Sequence, residues 1–221
     1  MAASSEFAAT RRRVLRGIAV VAIAVALGPA RSGGAEPATA ERAGAFLSDL
    51  TARAIEQLTD GSVAVEERKA RFRVLFRDNF DVPAIGRLVL GRYWRGTEEA
   101  VREKFLDTFE DVMVERFAPQ FAGYGGTRFQ IGVVRAVKQK GQYIVSTTIT
   151  PPGRETVQID WRVRYKDGKF RVLDVTGQGV SMVLTLRSEY ASVLKKFGGR
   201  VENLIALLRE RIENQAGVAA K

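Results

Sequence analysis

Apolar residues recur every three or four positions from residue 39 to 117, then every second position from 128 to 175, and return to the longer period beyond 182. A period near 3.6 marks a helix with one buried face, and a period of two marks a half-buried strand. The first block predicts a helix over 39–58, with Ala43, Phe46, Leu47, Leu50, Ala54 and Leu58 on one face. Thr39 stands at the N-cap, and Asp60-Gly61 ends the run. A second helix covers 65–80 with the stripe Phe72, Leu75, Phe76 and Phe80. Pro83 fits the first turn of a short third helix capped by Asp81, because a missing N–H costs nothing there. Thr97 is the expected cap of a fourth helix over 98–117, with Val101, Phe105, Phe109, Val112, Met113 and Phe117 inward.

Gly123, Gly125 and Gly126 break the helical period. Strands are expected at 128–138 (Phe129, Ile131 and Val133 on one face), at 143–150 (Tyr143, Val145, Thr147 and Ile149), at 157–165 and at 170–175. Strand three alternates most cleanly: Val157, Ile159, Trp161, Val163 and Tyr165 point one way, and Gln158, Asp160, Arg162 and Arg164 the other. Pro151-Pro152-Gly153 is a turn, and Asp167-Gly168 is a two-residue hairpin. Counted through that hairpin, Tyr165 faces Phe170, Val163 faces Val172, and Trp161 faces Asp174. Asp174 then lies on the apolar face and needs partners, which the Trp161 indole, a helix N-terminus or the Ser181 segment can supply. Gly177 and Gly179 predict a bend. A helix over 182–197 closed by Gly198-Gly199 and a last one over 200–213 complete the chain, with 215–221 as a flexible tail. Helices before and after a contiguous antiparallel meander define an α+β fold, with helices on one face of a curved sheet of four to five strands.

Residues 10–35 carry the pattern of a cleaved signal peptide: Arg11, Arg12, Arg13 and Arg16, then the apolar run Ile18–Leu27, then small residues. Ten apolar residues are too few to span a bilayer, which needs about 20. Gly28-Pro29-Ala30 and Gly33-Gly34-Ala35 are the candidate cleavage sites, the second favoured, leaving 36–214 as a single domain. Thr10-Arg11-Arg12-x-Val14-Leu15-Arg16 resembles a twin-arginine motif. Export by either route predicts a periplasmic location.

The net charge is +10. Against Glu6, the leader's four arginines leave +3 in residues 1–30, so +7 stays on the rest of the chain. A basic surface fits anionic partners, among which nucleic acid is the least suited to an exported protein. The chain has no His and no Cys. That excludes Ser-His-Asp triads, Cys-His dyads and thiolate chemistry, and removes the usual zinc and iron-sulfur ligands. No cofactor or metal is expected. The clusters Gly123-Tyr124-Gly125-Gly126 and Gly177-Gln178-Gly179 lack the context of a phosphate loop. Arg68, Lys69, Arg71 and Arg73 are expected on a solvated face of helix two. Asp78, Asp81 and Asp174 are the carboxylates best placed for perturbation, and an acid–base role for Asp174 is the enzymatic alternative to a binding function.

The ordered set Phe80-Asp81-Val82 through Leu90-Gly91-Arg92-Tyr93-Trp94-Arg95, the Phe105…Phe109 helix, Asp167-Gly168-Lys169-Phe170 through Val175, Gly179-Val180-Ser181-Met182, Arg187…Tyr190 and Leu204…Leu208 resembles the toluene-tolerance family. That family includes the soluble phospholipid carrier of the Mla pathway and a hopanoid-associated branch. Phe170 stands where the family pattern has Trp after the turn. The resemblance covers about residues 40–213. It implies a curved sheet of the nuclear-transport-factor-2 type wrapped by helices, with an apolar lipid cavity between. It also implies a monomeric periplasmic shuttle that performs no reaction. Such a shuttle carries glycerophospholipid, or alternatively a hopanoid or other polycyclic lipid, between an inner-membrane ABC transporter complex and an outer-membrane lipoprotein/porin complex. On that fold the expected cavity wall is Val82, Ile85, Leu90, Tyr93, Trp94, Phe109, Phe117, Tyr124, Val145, Ile159, Trp161, Val163, Val180 and Met182.

Overall fold

The structure is a computed structural model describing residues 39–139 and 141–219. The leader, its export motif and both cleavage sites lie outside the described residues. The helices are α1 (Ala40–Leu58), α2 (Val65–Asn79), α3 (Val82–Leu90), a single turn α4 (Tyr93–Gly96), α5 (Glu99–Phe117), α6 (Met182–Lys196) and α7 (Val201–Ala219). A 3-10 segment, Ala118–Tyr124, links α5 to the sheet. The strands β1 (Arg128–Ala136), β2 (Gln142–Thr150), β3 (Val157–Lys166), β4 (Lys169–Gly177) and β5 (Val180–Ser181) form one antiparallel sheet in chain order. The fold is α+β, as the pattern predicts.

Local chemistry accounts for most boundaries. Thr39 caps α1 by accepting from Arg42 N at 3.2 Å, and Asp81 caps α3 by accepting from Ala84 N at 3.2 Å. The Thr97 cap is not formed. Its hydroxyl donates back to Tyr93 O at 2.7 Å to close α4, and α5 starts one residue later behind Glu98, with no side-chain cap. The last helix continues past Glu213 to Ala219. Asp167 (φ 51) and Gly168 (φ 78) make the hairpin turn, with both central residues left-handed as the sheet twist requires.

Two β-bulges move side chains away from the simple alternation. One falls between Ile131 and Val134, so Ile131 and Val134 point inward and Val133 is 68% exposed. The other falls between Arg162/Asp174 and Val163/Val172. Trp161 therefore faces Val175 and Asp174 faces Arg162, while Val163–Val172 and Tyr165–Phe170 keep the predicted pairing. The extra residue is Leu173, and each side chain of β4 beyond it is displaced by one place relative to β3.

Two apolar clusters form. One joins Leu47, Leu50 and Leu58 of α1 to the inner sheet face at Tyr143, Val145, Val163, Phe170 and Val172. The other is helical, built from α3, α5, α6 and α7 around Ile85, Phe105, Phe109, Leu186, Leu194 and Leu204. Phe72 and Phe80 pack against both. The cations of α2, expected in solvent, instead tie it down. Arg68 is 2% exposed and donates to Leu58 O (2.8 Å), Asp60 O and Val63 O (2.9 Å each). Lys69 meets Glu115, Arg73 meets Glu110 and Asp111, and Arg77 meets Glu110, at 2.7–2.8 Å, joining α2 to α5.

Candidate functional site

A cavity of about 330 Å³ opens between α1, α2, the 3-10 segment and the inner sheet face. The helices contribute Leu50, Ala54, Leu58, Phe72, Leu75, Phe76 and Phe80; Phe117, Phe121 and Tyr124 close one end; Phe129, Ile149, Ile159, Trp161 and Val175 form the sheet wall. No lining residue carries a charge. The polar ones are largely satisfied in place. Thr51 donates to Leu47 O at 2.8 Å, Thr59 to Ile55 O at 2.7 Å, and Gln120 to Arg116 O at 2.7 Å, leaving carbon toward the space. The buried Thr127 hydroxyl has no protein partner. Trp161 needs a partner for its N–H in such surroundings and finds one beneath it. Its Nε1 donates to Thr147 Oγ1 at 3.0 Å, and Thr147, 1% exposed, donates to Ile159 O at 3.0 Å.

Of the fourteen expected wall residues, Phe117, Tyr124, Ile159 and Trp161 line this cavity. Val145 and Val163 are fully buried at the sheet centre beside it. Ile85, Leu90 and Phe109 are fully buried in the helical cluster, and Val82, Tyr93, Trp94 and Met182 pack on that cluster. Val180 is 62% exposed on β5. The reason is the position of α3, which lies against α5 and α6. Gly86 permits this: a Cβ there would come within 2.4 Å of Leu106 Cδ2. Sequence reasoning placed Leu50, Ala54, Leu58, Phe72 and Phe76 on packing stripes without seeing that the stripe faces a void. Phe129 and Ile149 were legible as inward positions by alternation, but Phe121 carried no signal.

Asp174 is engaged as a cap. It accepts from Ser181 Oγ (2.5 Å), Val175 N (2.9 Å) and Val183 N (3.0 Å), fixing the start of α6. Two of the three partner types expected from sequence are present, and the indole is not among them. Both carboxylate oxygens are engaged in this cap, and Asp174 is not among the residues that line the cavity. Among the described residues no group of three or more His, Cys, Asp or Glu could hold a metal, and no helix is long and apolar enough to cross a membrane.

The fold and its uncharged cavity define an α+β protein built around an apolar, ligand-sized space between one sheet and a helical layer. A family model described as MlaC protein matches residues 48–210, and the chain belongs to that family. The intermembrane phospholipid transport system binding protein MlaC of Haemophilus influenzae is 26% identical over 128 residues, covering 57% of this chain and 59% of that protein. The match thus spans about three-fifths of the relative's length. A phospholipid-binding protein from Ralstonia solanacearum, solved in complex with a phospholipid, superposes with a TM-score of 0.72 at 20% identity, over 79% of this chain and 98% of that one. At that identity the likeness establishes the shared fold.

Proposed function

We propose that this chain is a periplasmic lipid-binding shuttle that carries glycerophospholipid between an inner-membrane ABC transporter complex and an outer-membrane partner, binding its cargo without transforming it. The observation that carries this reading is the uncharged cavity with Trp161 on its sheet wall and the phenylalanines of α2 opposite. Exposing two acyl chains of about 30 methylenes to water costs roughly 24 kcal/mol, so a carrier must enclose them. The absence of charge suits the tails, and the open Thr127 hydroxyl offers one polar point near them. That one relative belongs to a phospholipid transport system and the other binds a phospholipid supports phospholipid as cargo. A drug-sized ligand already needs roughly 300–1,000 Å³. At about 330 Å³ the space is smaller than two tails require, and loading must part the helices from the sheet.

Organic extraction of natively purified protein followed by mass spectrometry tests the reading. Glycerophospholipid in near-stoichiometric amount is expected. Recovery of polycyclic lipid alone moves the assignment to a hopanoid-type carrier. Protein that yields no lipid and takes up none from added micelles overturns the proposal.

A further inference from the structure

The Tyr93-Trp94 corner, expected on the cavity wall, instead gathers cations at the outside of the helical layer. Arg92 lies 4.9 Å from the Tyr93 ring centre and Arg102 lies 5.3 Å from that of Trp94, with Arg102 Nε donating to Trp94 O at 2.9 Å. The chain on either side of α6 closes on this corner. A Cβ at Gly91 would meet Arg187 Nε at 3.1 Å, and one at Gly199 would meet Tyr93 Cε1 at 3.2 Å. Arg187 is thereby brought beside Gly91, next to Arg92, and the Gly198-Gly199 turn, flanked by Lys195, Lys196 and Arg200 in sequence, is brought beside Tyr93. Glu98, Glu99 and Glu202 lie on the adjoining helix starts. Even so, Arg92, Arg95, Arg187, Lys195, Lys196 and Arg200 form no ion pair among the described residues, whereas α2 spends Lys69, Arg71, Arg73 and Arg77 on carboxylates. Apolar side chains stand exposed at the chain segments that meet here: Leu88 at 44% near the end of α3 and Phe197 at 40% in the turn between α6 and α7.

We infer that this corner is a docking surface for an anionic phospholipid bilayer. Unpaired Arg and Lys meet headgroup phosphates, while exposed Phe and Leu and the flanking aromatic rings enter the boundary between headgroups and acyl chains. A merely acidic protein face satisfies the cations but gives the apolar side chains nothing. The surface lies on the helical cluster and involves no residue of the cavity wall, so the inference stands whatever the cavity holds.

Flotation of the full chain with vesicles tests it. Binding is expected to phosphatidylglycerol-containing vesicles at about 50 mM salt and to vanish near 0.5 M, where screening shortens to a few ångströms; all-phosphatidylcholine vesicles should not bind. The variant Arg95→Gln, Lys195→Gln, Lys196→Gln, Arg200→Gln should bind roughly 600-fold more weakly, about fivefold per charge. A control of equal charge, Arg128→Gln, Lys138→Gln, Arg154→Gln, Lys169→Gln at exposed sites on the strands and their connecting loops, should lose less than about fivefold and also accounts for the basic leader. Phe197→Ser should weaken vesicle binding but leave retention on a polyglutamate column unchanged. Equal losses in the two four-site variants, no vesicle binding by the parent chain, or tighter binding to polyglutamate than to vesicles overturns the inference. Unchanged melting temperature and unchanged extractable lipid in the corner variant separate its failure from misfolding and from any failure of the cargo reading.

Discussion

The indole of Trp161 presents its ring to the cavity and hides its N–H against the sheet, in the bond to Thr147. Truncating a large aromatic residue in a filled core costs about 3–5 kcal/mol. Here part of the space is already open and acyl chains can enter more of it, so Trp161→Ala should cost about 1–3 kcal/mol by urea unfolding and shift the chain lengths that co-purify. A loss of 4 kcal/mol or more with an unchanged lipid profile, against the roughly 3–5 of a filled core, assigns the ring to ordinary packing. Tyr190 makes the opposite kind of prediction. It is 3% exposed, its hydroxyl has no protein partner, and burial pushes its ionisation well above the usual 10. Above pH 10 the unfolded chain gives up this proton and the folded chain keeps it, so stability must fall as pH rises. Tyr190→Phe should remove up to about 1.4 kcal/mol per pH unit from that fall between pH 10 and 11, with little change at pH 7. Urea midpoints at the three pH values check it. Some alkaline loss persists in the variant, because the Glu115 hydrogen bond holds the Lys69 ammonium above its ordinary value and that stabilisation also fades as pH climbs.

At the scale of elements, the start of α3 shows how much one residue joins. Asp81 caps the helix through Ala84 N, pairs with Arg164 of β3, and donates its own N–H to Val172 O at 2.9 Å, where Phe80 bridges to the β4 edge. Asp81→Asn keeps the cap, since Asn caps as well as Asp, and isolates the ion pair; a loss of about 1 kcal/mol is expected. Asp81→Ala also leaves the half-buried Arg164 without its acceptor and should cost about 2–4 kcal/mol. Equal losses in the two variants, measured by chemical denaturation, place the whole effect in the charge. The Asp81 cap, the Asp167-Gly168 turn and the strand alternation were legible from sequence because each is a local matter of a few adjacent residues. The bulges at Ile131/Val134 and Arg162/Val163 were not, since an extra residue in one strand leaves its composition unchanged and appears only against its partner. The basic face of α2 was misread for a similar reason: Lys69 and Arg73 look solvated until α5 brings Glu110, Asp111 and Glu115 across. The cavity takes Phe117, Tyr124, Ile159 and Trp161 from the expected wall and leaves the other ten in packed clusters or, for Val180, at the surface, because periodicity marks an inward face without saying whether protein or a void lies beyond it.

At the scale of the molecule, the cavity sits on the seam between the sheet cluster and the helical cluster, and its two helical walls are fastened differently. The ion pairs from Lys69, Arg73 and Arg77 bind α2 to α5, and Arg68 locks the α1–α2 turn. The α1 contacts with the sheet are largely apolar, as in the Phe46–Phe170 stack at 5.9 Å and the approach of Gly44 to Val134. Acyl chains entering the seam replace apolar contacts with apolar contacts, so lifting α1 from the sheet is recovered by the cargo, whereas pulling α2 from α5 strips the buried Glu110 carboxylate of its Arg73 and Arg77 partners, for which a lipid tail offers nothing. Loading should therefore expand the cavity at the α1–sheet face and leave the α2–α5 junction intact. Lipid present at about a hundred times its dissociation constant adds about 2.7 kcal/mol of stability. For a domain of this size that raises the melting temperature by roughly 5–10 °C. Hydrogen exchange on delipidated and loaded protein should show α1 and the inner positions of β2 and β3 gaining protection on loading, with α2 and α5 nearly unchanged. Protection gained mainly across α2 and α5 shows that the seam opens by breaking the charge network, and that α1 is the fixed wall.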